Sequence, residues 1–165
     1  MENSSAPASS GERYLESTQN LWSVVSDQME TIRKVADLFA ESILAGRMVH
    51  LFGSGHSRIM VEEMWPRYGS FPGFHPIVEL SLTYHHDVVG ANGQRQAMFL
   101  ENVSGLADRI LRNFDISQQD SALVISSSGC NVVPVEIAEG FKQRGVKVVG
   151  MVSRQHSEAS QSHHS

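Results

Sequence analysis

Two short runs of serine and glycine carry the plainest chemical signal in this chain: Gly53-Ser54-Gly55-His56-Ser57 and Ser126-Ser127-Ser128-Gly129-Cys130-Asn131. Serine hydroxyls and the asparagine amide are short neutral donors, and Gly53, Gly55 and Gly129 let the main chain come close to an anion. Where each run opens a helix, free N–H groups and the helix dipole add to the attraction for negative charge. A phosphate monoester is the natural guest of such a pair. The candidate contacts are Ser54, Gly55 and Ser57 in the first run and Ser126, Ser127, Ser128, Gly129 and Asn131 in the second.

Other phosphate and nucleophile loops fit less well. The first run has two glycines of a dinucleotide fingerprint but Arg58 in place of the third, where close packing of helix on strand needs glycine. No Gly-Lys-Ser/Thr follows either run, so a nucleoside-triphosphate loop is absent. Gly55-His56-Ser57-Arg58 begins like a hydrolase nucleophile elbow, but Ile59 stands where the closing glycine permits the sharp turn.

Among titratable groups, His56 lies inside the first run and is a candidate anion contact or ring-opening acid. His85-His86-Asp87 is compact, with His156, His163 and His164 further on, yet adjacent side chains of an extended segment point to opposite sides. No metal and no cofactor is expected on this spacing. Cys130 beside the second run is either a thiol made more acidic by a helix start or a small residue filling a tight turn.

Elements that place both runs on one side of a sheet can be read from periodicity. Trp22, Val25, Met29, Ile32, Ala36, Phe39 and Ile43 alternate three and four apart and predict one long amphipathic helix, stopped at Gly46. Met48 to Phe52 reads as a buried strand, Arg58 to Trp65 as a short helix ended near Pro66, and Pro76 to Leu82 as a second strand. Thr83 to Gln96 is polar and aperiodic and reads as a loop, with a lid as one use. Phe99 to Phe114 has helical spacing, Ala122 to Ile125 is a strand, a helix runs from the second run to about Arg144, and Val146 to Val152 closes the series. Ser153 to Ser165 is polar, either a flexible tail or the start of further structure.

Strands alternating with helices predict an α/β fold, an open parallel sheet with helices on both faces, preceded by the long N-terminal helix. Ligands of such sheets bind beyond the carboxyl ends of the strands, where both runs fall. Residues 1–13 are expected to be disordered and 14–165 to form one domain, with 14–46 as its N-terminal helical segment. The length of 165 residues and the 41% hydrophobic content suit a single packed core. A formal net charge of -5 offers no basic surface for nucleic acid, and no stretch is apolar enough for a membrane span. With Cys130 the only cysteine, the expectation is a cytoplasmic protein.

The paired runs, Gly53-Ser54-Gly55-His56-Ser57 and Ile125-Ser126-Ser127-Ser128-Gly129, resemble the signature of the sugar isomerase (SIS) domain family. With His75-Pro76-Ile77-Val78-Glu79 and the run from Val124 to Ser165, they are most similar to a bacterial group of phosphosugar-binding SIS proteins with no settled reaction. The resemblance implies a Rossmann-like three-layer sandwich that continues past Ser165, so that the C-terminal part of the fold is missing here. It also implies phosphate contacts from Ser57, Ser126, Ser127, Ser128 and Asn131, and a homodimer or larger assembly. Ser127 stands where the family often has an amide side chain. Family isomerases move a proton between C1 and C2 with a glutamate on the helix after the first loop, and Glu63 is the nearest match. One isomerase of the family carries a zinc ligand a turn before that glutamate, and the corresponding position here is Ile59. The expected function is therefore binding of a phosphorylated sugar, as an aldose–ketose isomerase with Glu63 and His56 as catalytic residues, or alternatively as a non-catalytic sensor.

Overall fold

The computed structural model describes residues 8–83, 90 and 92–163. Its contacts divide the chain into two compact units, Met1–Asp37 and Leu38–Ser165. In the first, helix α1 spans Ser10–Ser26 and α2 begins at Met29, running to Leu44. The single helix expected from the apolar stripe is thus broken, because at Gln28 the amide turns to the Val25 carbonyl in a tighter, three-residue bond. Residues 10–13 are also helical rather than disordered. Ser9 accepts the Glu12 amide while the Glu12 carboxylate accepts the Ser9 amide, a reciprocal cap that starts the helix early.

In the second unit four strands, β1 Val49–Gly53, β2 Phe74–Pro76, β3 Ser121–Ile125 and β4 Lys147–Met151, pair in parallel in the order β2-β1-β3-β4. Both central strands are buried along their whole length, which is why β1 and β3 read as continuous apolar runs rather than alternating ones. Alternation decides only the face. Phe52, Ala122 and Val124 point to one side, against Ile110, Leu111, Val133, Ile137 and Phe141. Val49, Leu51, Leu123 and Ile125 point to the other, against Val61, Phe39 and Ile43. The apolar side chains on the first side come from α6 (Leu106–Leu111) and α7 (Val132–Gln143); those on the second come from α3 (Arg58–Glu63) and the end of α2. The expected α/β fold with helices on both faces is present.

Three element boundaries differ from expectation. The second strand ends at Pro76, and Leu80–Thr83 forms a helical turn, α4, because the Glu79 carboxylate accepts the Leu82 amide and closes the chain on itself. The helix expected from Phe99 to Phe114 is two, α5 (Asn92–Leu100) and α6. Gly105 separates them at φ +80°, its amide and the Ser104 hydroxyl donating to Glu136. α5 also takes residues 92–96 out of the expected loop and α4 takes Thr83; residues 84–89 and 91, with His85, His86 and Asp87, lie outside the described residues. Past β4, Arg154–Ala159 forms a short helix, α8, where a tail was one expectation, and the Ser153 hydroxyl accepts the His156 amide at its start.

Beneath the sheet, at the end away from the serine runs, a buried polar network replaces apolar packing. Asp120 accepts Nε and Nη2 of Arg47 at 2.9 and 3.1 Å, the amides of Met48 and Ser117 at 3.2 and 2.6 Å, and lies 3.1 Å from His50 Nε2. Burial pushes the Asp120 carboxyl up, but these bonds, Arg47's first among them, override it and hold the group well below the usual carboxylate range. His50 stacks on Phe141 and meets His75, whose edge rests on Phe114.

Candidate functional site

The site begins with one pair in the ladder: Gly53, the last residue of β1, lies opposite Ile125, the last residue of β3. Adjacent parallel strands run about 4.8 Å apart. The chain therefore leaves the sheet at the same level on two neighbouring strands, and the two serine runs start side by side. A methyl group on Gly53 would fall 2.7 Å from the Ser57 carbonyl oxygen, so only glycine lets the first run fold back over its own strand end.

That run makes a 3-10 turn, Gly55–Ser57, tied by the Ser57 amide to the Ser54 carbonyl at 3.0 Å. The second run curls on its own hydroxyls. The Gly129 amide donates to Ser126 Oγ at 3.0 Å and the Cys130 amide to Ser128 Oγ at 3.3 Å, with Gly129 at φ +68° making the turn possible. Because those oxygens accept from the loop itself, their hydrogens are directed elsewhere.

Both runs open into one cleft of about 530 Å³, within the range of small-molecule sites. Ser54, Gly55, His56, Ser57, Ser126, Ser127, Ser128 and Asn131 all line it, so eight of the ten residues singled out from sequence come together there. Gly129 shapes the turn without lining this cleft. Glu63 is not brought to it: the side chain is exposed and paired with Arg67 one turn on. At 3.6 residues per turn, six residues past Ser57 leaves Glu63 about 120° round the helix from that serine. The expectation of Glu63 as a cleft base is corrected on this geometry.

Sequence reasoning missed a second set of residues. Glu101, just past α5, accepts Ser54 Oγ at 2.7 Å and Asn131 Nδ2 at 3.0 Å on the same oxygen, so one carboxylate bridges the two runs. Its carbonyl takes the Val133 amide at 2.9 Å. With that amide engaged and Pro134 lacking one, α7 offers the cleft fewer free N–H groups than a bare helix start. His156 Nδ1 lies 2.9 Å from Ser127 Oγ, and His163 lines the far wall with its amide on the Cys130 carbonyl. Gln94 and Met98 of α5 complete the rim. One signal for Glu101 was present: it falls four residues after Ala97, on the inward face of the helix.

Cys130 is buried, and its thiol donates to the Ser128 carbonyl at 3.4 Å, which fits the reading of a small residue in a tight turn. Among the described residues lining the cleft there is no lysine or arginine. Any anion there is met by hydroxyls, amides and the imidazoles of His56, His156 and His163. Among the described residues, no three His, Cys, Asp or Glu side chains converge as a metal site and no helix is long and apolar enough to cross a membrane.

The arrangement of two serine loops over adjacent parallel strands has a family to which it belongs. The SIS domain model matches residues 13–153, and the chain is a member of the SIS domain family. A UPF0309 protein of Geobacillus kaustophilus is 32% identical over 146 residues, covering 88% of this chain and 56% of its own. A UPF0309 protein of Listeria innocua is 31% identical over 144 residues, at 87% and 56%. The chain thus spans a little over half the length of these curated relatives. Among solved structures, phosphoheptose isomerase from Neisseria gonorrhoeae superposes with a TM-score of 0.58, covering 90% of this chain and 77% of that one. At 15% identity this likeness bears on the fold.

Proposed function

We propose that the chain binds a phosphorylated sugar in the cleft between the two serine runs and serves as a phosphosugar aldose–ketose isomerase. The observation that carries this reading is that Ser57 and Ser126, Ser127 and Ser128 open onto one cleft from adjacent strand ends. Neutral hydroxyls in a partly enclosed cleft bind a dianionic ester through hydrogen bonds to charge, which are roughly twice as strong as neutral ones. The 530 Å³ of space accommodates a sugar as well as its phosphate. Membership of the SIS domain family and the fold shared with phosphoheptose isomerase support the same reading. Assembly as a homodimer or larger oligomer is part of the proposal.

The test is a thermal-shift screen of pentose, hexose and heptose phosphates against the matching unphosphorylated sugars, on this chain and on a full-length relative. Phosphorylated members should raise the midpoint and their free sugars should not. If no phosphate compound does so, the proposal is lost.

One observation favours a second reading, a sensor that binds without turnover: Glu63, the base implied by the resemblance, stands outside the cleft. Incubation of each binding sugar phosphate in deuterated water separates the two, since isomerisation through an enediol places deuterium at C1 or C2 and binding alone does not.

A further inference from the structure

Glu101 is the one carboxylate among the described residues that line the cleft, and its two oxygens are differently occupied. Oε2 accepts from Ser54 and Asn131, while Oε1 has no partner among the described residues. The main chain of Glu101 is fixed as well, its amide on the Ala97 carbonyl at 2.9 Å and its carbonyl under the Val133 amide at 2.9 Å. A carboxylate held this firmly with one oxygen open is oriented before any ligand arrives.

Two consequences follow for the cleft's contents. The Ser54 hydroxyl has a single hydrogen and gives it to Glu101, so it has none for a phosphate; Asn131 keeps one of its two amide hydrogens. A dianionic ester is also repelled by the carboxylate. The Ser57, Ser126, Ser127 and Ser128 hydroxyls carry no such bond to an acid among the described residues. The ester is therefore driven to their end of the cleft, and the carbon chain of the sugar extends towards Glu101 and Gln94.

Resting on the phosphosugar reading above, we propose that Glu101 divides the cleft into an ester end at Ser57, Ser126, Ser127 and Ser128 and a sugar end at its own Oε1, where it is the catalytic carboxylate that carries the proton between C2 and C1. Ser54 and Asn131 are then positioning residues for Glu101, not ligands of the phosphate. In the aldose-to-ketose direction Oε1 takes the hydrogen from C2, and the C–H electron pair forms the C1–C2 double bond. The C1 carbonyl pair moves to O1, which takes a proton from solvent. Glu101, its acid proton exchanged with solvent at the enediol stage, protonates C1 as the O2 hydroxyl gives its own proton to solvent and closes the C2 carbonyl. Nothing is oxidised overall and no co-reactant is used.

The experiment compares Ser57→Ala and Ser128→Ala with Ser54→Ala, Asn131→Ala and Glu101→Gln, each first checked for native circular dichroism and thermal midpoint. The probes are inorganic phosphate and the 5-, 6- and 7-phosphates of ribose, fructose and sedoheptulose. Ser57→Ala and Ser128→Ala should weaken inorganic phosphate by about tenfold, the scale of a lost hydrogen bond to charge, while Ser54→Ala and Glu101→Gln leave it unchanged or tighter. Glu101→Gln should keep sugar-phosphate binding and lose deuterium incorporation by about a hundredfold or more. Ser54→Ala should lower the rate of incorporation at saturating sugar phosphate while leaving its binding unchanged, the split expected when only the orientation of Glu101 is lost. Equal loss of inorganic phosphate in Ser54→Ala and Ser57→Ala would overturn the division of the cleft. Undiminished incorporation in Glu101→Gln, or none in a wild type that binds, would overturn the catalytic assignment alone. A wild type that responds to no phosphate probe would instead remove the phosphosugar reading itself.

Discussion

His50 and His75 face each other Nδ1 to Nδ1 at 3.0 Å, so a single hydrogen serves both rings. The Asp120 carboxylate 3.1 Å from His50 Nε2 assigns a hydrogen to that nitrogen, leaving the neutral His50 ring to accept from His75 at Nδ1. Full protonation of both rings would set two N–H groups against each other.

Acid should therefore destabilise the fold from a higher pH than carboxylates alone would. Burial and then the neighbouring His50 hold the His75 pKa below its ordinary 6.5, with Asp120 opposing them. Below about 6.5 the unfolded chain takes up a proton that the native chain resists, so stability falls as pH drops and this contribution is lost once the native ring also titrates. Asp120 acts with the same sign, below its ordinary 3.8. Urea unfolding at several pH values should show a slope beginning near 6.5 that is absent in His75→Gln; an unchanged slope would exclude His75 as its source.

Asp120→Asn should cost about 3–5 kcal/mol, the scale for breaking one side of a buried ion pair. The new amide would present hydrogens where Arg47, His50 and the Ser117 amide already donate. Denaturant midpoints measure this, and a loss below about 1 kcal/mol, typical of exposed pairs, would show that solvent reaches the network.

Gly53→Ala should disable the first serine run while leaving the sheet formed. The added methyl meets main-chain atoms of Ser57 at 2.7 and 2.8 Å, and backbone cannot swing aside as a side chain can. Loss of the thermal shift with inorganic phosphate, with a retained cooperative unfolding transition, is the expected pair of results.

Glu63→Gln should change neither sugar-phosphate binding nor proton exchange, and should alter stability by less than about 1 kcal/mol, because it removes only an exposed ion pair with Arg67. A large loss of exchange in this variant would restore Glu63 to the chemistry.

The layout of the central sheet was legible in the sequence because buried parallel strands and the turns after them are local patterns: Met48 to Phe52 and Ala122 to Ile125 read as apolar runs followed by glycine or serine. Helix breaks were less legible. The stripes through Gln28 and Gly105 keep their apolar spacing across an interruption, so periodicity alone joins what a changed hydrogen bond or a positive φ divides. Beyond its spacing from Ala97, nothing marked Glu101 as part of the site, since its partners Ser54 and Asn131 lie 47 and 30 residues away. A carboxylate at the end of an amphipathic helix has the composition of a solvated one until the fold brings its partners to it. For Glu63 the mismatch is one of direction: the residue sits on the helix that the resemblance implies, but rotation about the axis turns its side chain to Arg67 and away from the cleft.

The pairing of Gly53 with Ile125 has a consequence for how the cleft can vary. Both serine runs inherit their height from one rung of backbone, so helices and rim can drift in sequence while the spacing of the two runs stays constant. A slip of one rung between the middle strands would invert every inward side chain and part the two serine runs in the same event. Pairing the middle strands correctly and presenting both serine runs to one cleft are, for this chain, a single structural decision.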